Sequence, residues 1–182
     1  IYTQAFVAAS DVYKRQVHKM VEFAVEGLAG VSASQVEIQS GLQFCDGIKS
    51  ADIQEILIRS ASDLISEEHP NYQYVAARLL LFGLRKAVHG HPEILPPLLE
   101  HVKGCIDKGV YDGTIVNRYS EEEWDRINSF VEHERDYLFT YAGLRQVVDK
   151  YLVQDRSTGA HYESPQQMYI MIAATLLSLI HI

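Results

Sequence analysis

Cysteine is scarce in this chain of 182 residues, which contains only Cys45 and Cys105. The two residues form no CxxC pair and no other spacing typical of a zinc site, so the sequence predicts neither a disulfide scaffold nor a metal centre. An isolated pair of cysteines is typical of a reducing compartment, and we therefore predict a cytoplasmic protein. We interpret both cysteines as small residues of the core.

Positive charge is also in deficit. The 16 lysine and arginine residues stand against 24 aspartate and glutamate residues, which gives a formal net charge of -8. An acidic chain has no general affinity for nucleic-acid phosphates or for anionic membranes. A membrane-spanning helix needs roughly 20 apolar residues, and the longest apolar run, residues 169–180, is shorter. The sequence therefore predicts no nucleic-acid partner and no membrane segment.

Hydrophobic residues make up 47% of the chain, which is enough to bury one or two modest cores. They recur at helical spacing along most of the sequence, so we predict a mainly α fold. Gly90-His-Pro92 and the following Pro96-Pro97 predict a boundary between two helical units. The run Tyr151–Tyr162 has β-favouring residues on both sides of a turn and predicts a small β-hairpin.

Several predicted helices begin at a recognisable cap. Ser50 is a candidate N-cap, and the helix after it carries an apolar stripe that includes Ile53, Leu57 and Ala61. Three further starts have the capping-box pattern of a serine followed three residues later by Glu or Gln: Ser32 with Gln35, Ser120 with Glu123, and Ser164 with Gln167. The helix from Tyr72 to about Val88 is apolar on most sides, which predicts a central position in a bundle.

Catalytic or metal-binding sets are not evident. The eight histidines are scattered, and the one close pair, His89 and His91, is interpreted as a pair of solvated loop histidines. Glu121–Glu123 suits a helix start through the macrodipole. His133–Asp136 is interpreted as an interhelix ion-pair cluster. We predict no catalytic residue and no metal ligand.

One line of residues favours a binding function. Arg78, Phe82 and Lys86 recur every four residues and therefore lie along one side of a helix. The ring of Phe82 can pack on a nucleotide base, and Lys86 can contact a phosphate. The helix start at Ser50 offers backbone N–H groups and a hydroxyl to the phosphates. Periodicity alone favours the structural alternative, in which Phe82 belongs to the core and both cations reach the surface.

Six segments together resemble a known family. They occur in the same order and at matching intervals in the large subunits of aerobic class I bacterial ribonucleotide reductases: Val31–Glu37, Gln43–Ser50, Asp63–Ser66, Tyr72–Leu79, Lys150–Gln154 and Tyr162–Ser164. The resemblance extends from about Val17 to Leu176. It implies a truncated ATP-cone, a four-helix bundle without its hairpin, over residues 17–90. It also implies part of the helical N-terminal domain of the reductase large subunit over residues 91–176.

The resemblance implies a parent enzyme that reduces ribonucleoside diphosphates to deoxyribonucleoside diphosphates and depends on thioredoxin or glutaredoxin. Its radical cofactor would reside in a small subunit, and the large subunit would also self-associate. ATP would activate and dATP would inhibit through the ATP-cone, with Mg²⁺ as the accompanying cation and without a covalently bound cofactor. The cysteines of the catalytic barrel would follow Leu176, so the fragment alone is expected to be inactive.

Site residues are also implied by the resemblance. Val17 matches an aliphatic position near the adenine, and Ser50 matches a hydroxyl residue of the site. Phe82 and Lys86 match the ring and the phosphate-contacting lysine. Gln54 stands where relatives have a histidine on the phosphate side; a neutral amide donates a hydrogen bond but does not become cationic.

Two alternatives remain open. A stand-alone ATP-cone regulator, such as the transcriptional repressor of the family, would carry a zinc ribbon with CxxC pairs, which this sequence lacks. A helical interaction module is favoured if Phe82 and Lys86 serve unrelated packing.

The two ends of the chain share a feature that does not concern folding. The hexapeptides Asp11–Gln16 and Leu177–Ile182 can be encoded by one DNA segment read in both directions. This resembles the end sequence of a transposon used to fragment DNA for sequencing. We therefore expect residues 1–16 to be non-native or unmatched and residues 177–182 to be a non-native tail. Sequencing an intact genomic locus tests this, and finding both hexapeptides there would contradict it.

Overall fold

The computed structural model describes residue 15, residues 17–41 and residues 50–177. For Ser50, Ala51 and Leu177 the description covers the backbone. Cys45, which the sequence predicts to be a core residue, lies outside the described residues. In this part of the chain the fold is mainly helical with one small antiparallel hairpin, so the predicted fold class is confirmed.

The elements follow in chain order. The α-helices are α1 (residues 17–25), α2 (Ala33–Ser40), α3 (Ser50–Asp63), α4 (Tyr72–His89), α5 (Leu98–Asp107), α6 (Glu121–Asn128), α7 (Tyr141–Lys150) and α8 (Pro165–Leu177). Short 3-10 helices occupy Gly113–Arg118 and His133–Leu138. The hairpin strands are β1 (Gln154–Asp155) and β2 (Ala160–His161).

The described helices include none that is long and apolar enough to cross a membrane. By its contacts the chain divides into two compact units. The first contains the chain up to Gly83 together with Phe139–Leu144, and the second contains Leu84–Leu138 and the chain from Arg145 onward. The division falls within α4, whereas the sequence predicts a domain boundary after Gly90; the predicted domain limits stay a prediction.

The core of the first unit is formed by apolar stripes of α1, α3 and α4. The predicted stripe of α3 is confirmed, because Ile53, Leu57 and Ala61 are each at most 1% exposed. The predicted burial of α4 is confirmed too, since buried residues recur on most of its sides: Tyr72, Val75, Ala76, Ala77, Leu79, Leu80, Leu81 and Leu84. Each fully buried Val or Leu side chain contributes roughly 1.5–3 kcal/mol relative to exposure.

The predicted capping box of α2 is wrong. Ser32 occupies the N-cap position with an extended backbone, but its side chain makes no capping hydrogen bond. The hydroxyl of Tyr72 accepts from the Ser32 backbone N–H at 3.1 Å and donates to the Gln35 side chain instead. Tyr72 is 1% exposed, and a buried hydroxyl without partners is costly, so this tertiary contact replaces the local cap.

The second unit has its own core around Trp124. The core residues are Leu98, Val102, Ile115, Tyr119, Trp124, Met171 and Ala174. The rings of Tyr119 and Trp124 meet edge to face, with centroids 5.4 Å apart. The polar ends of both rings are bonded, because the Trp124 indole N–H donates to the Val116 carbonyl and the Tyr119 hydroxyl donates to the Ala174 carbonyl.

Of the other local structures predicted for this unit, the capping box before α6 and the hairpin are present, and the box at Ser164 is present in part. The capping box before α6 is confirmed, since Ser120 and Glu123 exchange both hydrogen bonds. At the start of α8 the backbone N–H of Ser164 donates to the Gln167 side chain at 2.8 Å. In the hairpin, β1 pairs with β2 in antiparallel register. The turn between them contains Gly159 at a φ of 75°, a conformation that favours glycine.

An ion pair is buried in the second unit. The Arg85 and Asp136 side chains are 3% and 0% exposed, and their Nη2 and Oδ2 atoms lie 3.0 Å apart. Arg85 also donates to the His133 carbonyl and to the Tyr137 hydroxyl. Gln166 donates to the other oxygen of Asp136 at 3.4 Å. The predicted ion-pair cluster at His133–Asp136 is confirmed for Asp136.

Three histidines form a partly buried group, the histidine cluster: His89, His101 and His133. The rings of His89 and His101 lie 5.5 Å apart. Burial is the main cause that lowers the pKa of all three. The pKa of His101 falls to about 4, with His89 as the next cause, and that of His133 also falls to about 4, with Arg85 as the next cause.

The interpretation of His89 as a solvated loop histidine is therefore wrong. His89 is the last residue of α4 and is partly buried, because the helix continues one residue past Val88 and packs its end in the second unit. His91 is exposed, and its ring accepts from the backbone N–H groups of Glu93 and Ile94.

Replacing Ser120 by alanine should lower the free energy of unfolding by about 1 kcal/mol, because the hydroxyl that accepts from the Glu123 backbone N–H at the start of α6 is lost. The Ser129→Ala variant is the matched control, since Ser129 is an exposed serine at the other end of α6 and bonds only to a carbonyl in the preceding turn. The control should change stability by less than about 0.5 kcal/mol. Urea titrations would measure both, and equal effects would contradict the prediction.

Stability should fall as the pH is lowered from 7 to 5. The folded pKa of His101 and of His133 is about 4, below the ordinary value of 6.5. Between these values the unfolded chain binds more protons than the folded one, so the free energy of unfolding decreases with decreasing pH. Each of these histidines should account for about 1–2 kcal/mol of that decrease.

Urea titrations at both pH values would test this. We expect His101→Gln and His133→Gln each to reduce the decrease in the free energy of unfolding between pH 7 and pH 5. His69→Gln, which changes an exposed histidine of the first unit, is the control and should leave the loss of stability unchanged. A loss that is the same in all three variants and in the unchanged chain would show that the histidine cluster is not responsible.

Candidate nucleotide site

Two of the five predicted site residues, Phe82 and Lys86, lie on helix α4. Phe82 and Lys86 are one helical turn apart, so their side chains leave the helix on the same side. Phe82 is partly exposed and Lys86 is exposed. A partly exposed ring next to an exposed cation can contact a base and a phosphate. Lys86 also lies in the last turn of α4, where a cation is favourable for the helix itself.

Gln54 of α3 is held against the same stretch of α4. Its side-chain Nε2 donates to the Leu79 carbonyl at 2.6 Å. A Cβ atom at Gly83 would lie 3.0 Å from Gln54 Cγ, so the glycine allows the amide side chain to approach the helix closely. Leu79 and Gly83 flank Phe82, and Gln54 therefore lies beside the turn that bears the ring. The bond to Leu79 uses one of the two N–H groups of the amide.

Val17 lies on α1 and Ser50 on α3, the other two helices of the predicted site. Val17 is 6% exposed and belongs to the core of the first unit, where an aliphatic residue offers apolar contact and no hydrogen bond. Ser50 is the first residue of α3, as its predicted role at a helix start requires, although its side chain is outside the described ones. Asp52 adds a negative charge to the first turn of α3, which opposes the attraction of that helix end for phosphate.

Of the five predicted residues, the structure brings Gln54 together with the segment of α4 around Phe82. It places Val17 in the same compact unit, whereas Lys86 is assigned to the second unit. The five roles at a nucleotide stay a prediction, because they depend on the position of a ligand.

Arg78, the first charge in the predicted line, is directed elsewhere. Its Nη1 atom donates to the carbonyls of Glu26 at 2.7 Å and of Ala24 at 3.3 Å. These carbonyls lie at the end of α1, so Arg78 serves the packing of two helices. The spacing of four residues predicts that Arg78 shares a side of α4 with Phe82. It contains no information that α1 ends beside Arg78.

The structure also shows a thiol and an imidazole together, a pair that the sequence analysis missed. Cys105 Sγ lies 3.6 Å from His101 Nε2, and both residues line a cavity of about 520 Å³. Burial raises the pKa of the Cys105 thiol and lowers that of His101 to about 4. Both groups are therefore neutral near pH 7, which is unsuited to a nucleophilic thiolate. Cys105 is 3% exposed, and its predicted place in the core is confirmed.

The signal for this pair was present in the sequence, because His101 and Cys105 are four residues apart on one helix. Among residues 17–41 and 50–177 no group of three or more His, Cys, Asp or Glu side chains is arranged to hold a metal ion.

Comparisons with known proteins show what the chain is similar to. Residues 137–179 match the family model described as the all-alpha domain of ribonucleotide reductase. The chain is 48% identical over 163 residues to ribonucleoside-diphosphate reductase 1 subunit alpha of Escherichia coli K12, a match that covers 90% of this chain and 21% of that protein. The corresponding alpha subunit of Haemophilus influenzae is 46% identical over 163 residues, with the same coverage.

A more distant relative gives the same result. The alpha subunit of ribonucleoside-diphosphate reductase of Enterobacteria phage T4 is 40% identical over 164 residues, which cover 89% of this chain and 21% of the phage protein. The chain thus spans about one fifth of the length of these relatives. It is homologous to the N-terminal region of the alpha subunit of ribonucleoside-diphosphate reductase.

Proposed function

We propose that residues 17–176 are the effector-binding and adjoining helical part of a class I ribonucleoside-diphosphate reductase alpha subunit. Residues 17–90 would form the ATP-cone and residues 91–176 part of the helical domain. One observation carries the proposal: in a chain 48% identical to an alpha subunit, Gln54 lies against the turn of α4 that presents Phe82.

The proposed site divides the nucleotide between apolar and polar contacts. The adenine would pack on the ring of Phe82 and near the aliphatic Val17; base–aromatic stacking is worth about 1–3 kcal/mol. The phosphates would meet Lys86, the hydroxyl of Ser50 and the amide of Gln54, with Mg²⁺ as counter-ion. Because Gln54 is a neutral amide, its contribution to phosphate binding would not depend on its own protonation.

The activity and partners belong to the parent protein. It would reduce ribonucleoside diphosphates to their deoxy forms, with a radical supplied by a small subunit and with electrons from thioredoxin or glutaredoxin. ATP would activate and dATP would inhibit through the proposed site, and the alpha subunits would self-associate. We propose a cytoplasmic location and no nucleic-acid or membrane partner.

A hybrid alpha subunit tests the proposal directly. In the E. coli relative, the homologous segment would be replaced by residues 17–176, and the hybrid assayed with the E. coli small subunit for reduction of a ribonucleoside diphosphate. We expect activity that ATP raises and dATP suppresses, and no activity from the 182-residue chain alone. An active hybrid that responds to neither nucleotide would contradict the proposed effector site.

Substitutions on α4 should weaken ATP binding by the hybrid. Phe82→Leu keeps an apolar side chain but removes the ring, and we expect about a tenfold higher Kd, which corresponds to about 1.4 kcal/mol. Lys86→Gln should raise the Kd about fivefold at low salt and less at high salt, because a point charge is screened. Isothermal titration calorimetry with ATP and with dATP would measure both effects.

Lys103→Gln is the matched control for the charge, since Lys103 is an exposed lysine of another helix, α5. The Kd of the Lys103→Gln hybrid for ATP should remain within twofold of the Kd of the unchanged hybrid. If Lys86→Gln and Lys103→Gln behave alike, Lys86 is a surface cation that completes the end of α4 and is not a phosphate contact.

A further inference from the structure

Arg78 connects two helices that carry predicted site residues. From α4 its guanidinium donates to the carbonyls of Ala24 and Glu26, at the end of α1. The last carbonyls of a helix lack hydrogen-bond donors within the helix and carry partial negative charge. A guanidinium that reaches them supplies both the donors and a positive charge. The contact spans more than fifty positions in the chain and is a tertiary link between α1 and α4.

Two further contacts join the chain after α1 to the start of α4. Asn71, just before α4, donates to the Ala29 carbonyl at 2.8 Å, and the Tyr72 hydroxyl accepts from the Ser32 N–H at 3.1 Å. The start of α4 thus contacts the chain after α1, whereas Arg78, further along α4, contacts the end of α1 itself. Together these contacts hold the end of α1 and the chain that follows it against α4.

Val17 and Phe82, two predicted site residues, lie on the two helices that the Arg78 contact joins. Phe82 lies four residues beyond Arg78, about 6 Å further along α4. Val17 lies seven residues before Ala24, about 10 Å back along α1. A shift of α1 at the Arg78 contact would therefore move Val17 relative to Phe82.

We propose that Arg78 is a positioning residue of the nucleotide site: by binding the C-terminal carbonyls of α1, it holds Val17 in place relative to Phe82. The inference rests on the proposed function, because it assigns Arg78 a role in nucleotide affinity as well as in packing. Arg78 itself contacts backbone carbonyls in the bonds described here and is not assigned a contact with the ligand.

Two substitutions of Arg78 test the role. Arg78→Met keeps the apolar stem and removes the donors, and Arg78→Lys keeps a charge and a single donor head. In the hybrid alpha subunit we expect Arg78→Met to raise the Kd for ATP at least fivefold and Arg78→Lys to recover part of this loss. Calorimetry should be done well below the unfolding temperature of each variant, so that the unfolded fraction does not enter the result.

Two controls separate positioning from general loss of stability. Arg59→Met removes an exposed arginine of α3, and Tyr72→Phe removes the buried hydroxyl that binds Ser32 and Gln35. Both should leave the Kd within twofold, although Tyr72→Phe should lower the unfolding temperature. In the 182-residue chain, Arg78→Met should also increase amide hydrogen exchange over residues 17–26 and leave residues 57–63 of α3 unchanged.

The outcomes distinguish the two proposals. If the unchanged hybrid binds no ATP, the proposed function is refuted, and the positioning role with it. If the unchanged hybrid binds ATP and Arg78→Met binds it equally well, only the positioning role is refuted. An affinity loss in Tyr72→Phe as large as that in Arg78→Met would also overturn the specific role of Arg78, because general destabilisation would then explain both.

Discussion

Helix α4 buries apolar side chains on most of its circumference, and this constraint governs where its polar groups go. A buried polar group without a partner is costly. Tyr72 therefore bonds to the start of α2, Arg78 to the end of α1, and Arg85 to Asp136. The partner of each group is a backbone atom or side chain distant in the chain, so the burial of one helix orders several others.

The candidate site depends on the same helix. Gly83 leaves room for Gln54, and the Leu79 carbonyl accepts from its amide, so α3 approaches α4 beside Phe82. A larger residue at Gly83 would displace the Gln54 side chain, because a Cβ atom there lies 3.0 Å from it. The position of Gln54 is thus a consequence of helix packing, and its chemistry as a neutral donor comes from the residue type.

Local patterns were the parts of the fold that could be predicted. The stripe of α3 and the capping box at Ser120 involve residues three or four positions apart, and both are present. The capping box at Ser32 had an equally good pattern but is absent, because the Tyr72 hydroxyl forty positions away binds the same segment. His89 was placed in a loop for a related reason: the pattern of Gly90 and proline marks the end of a helix but does not show what packs against it.

The sequence by itself determined the helical class, the capping box at Ser120 and the similarity to reductase alpha subunits, because these are properties of residue types at short spacing or of many aligned segments. Only the tertiary structure decided that Arg78 contacts α1, that Gln54 contacts the Leu79 carbonyl and that Cys105 lies beside a neutral His101. The physical reason is that hydrogen-bond partners and the pKa values of buried groups depend on which helices pack together, and a local sequence pattern does not contain that information.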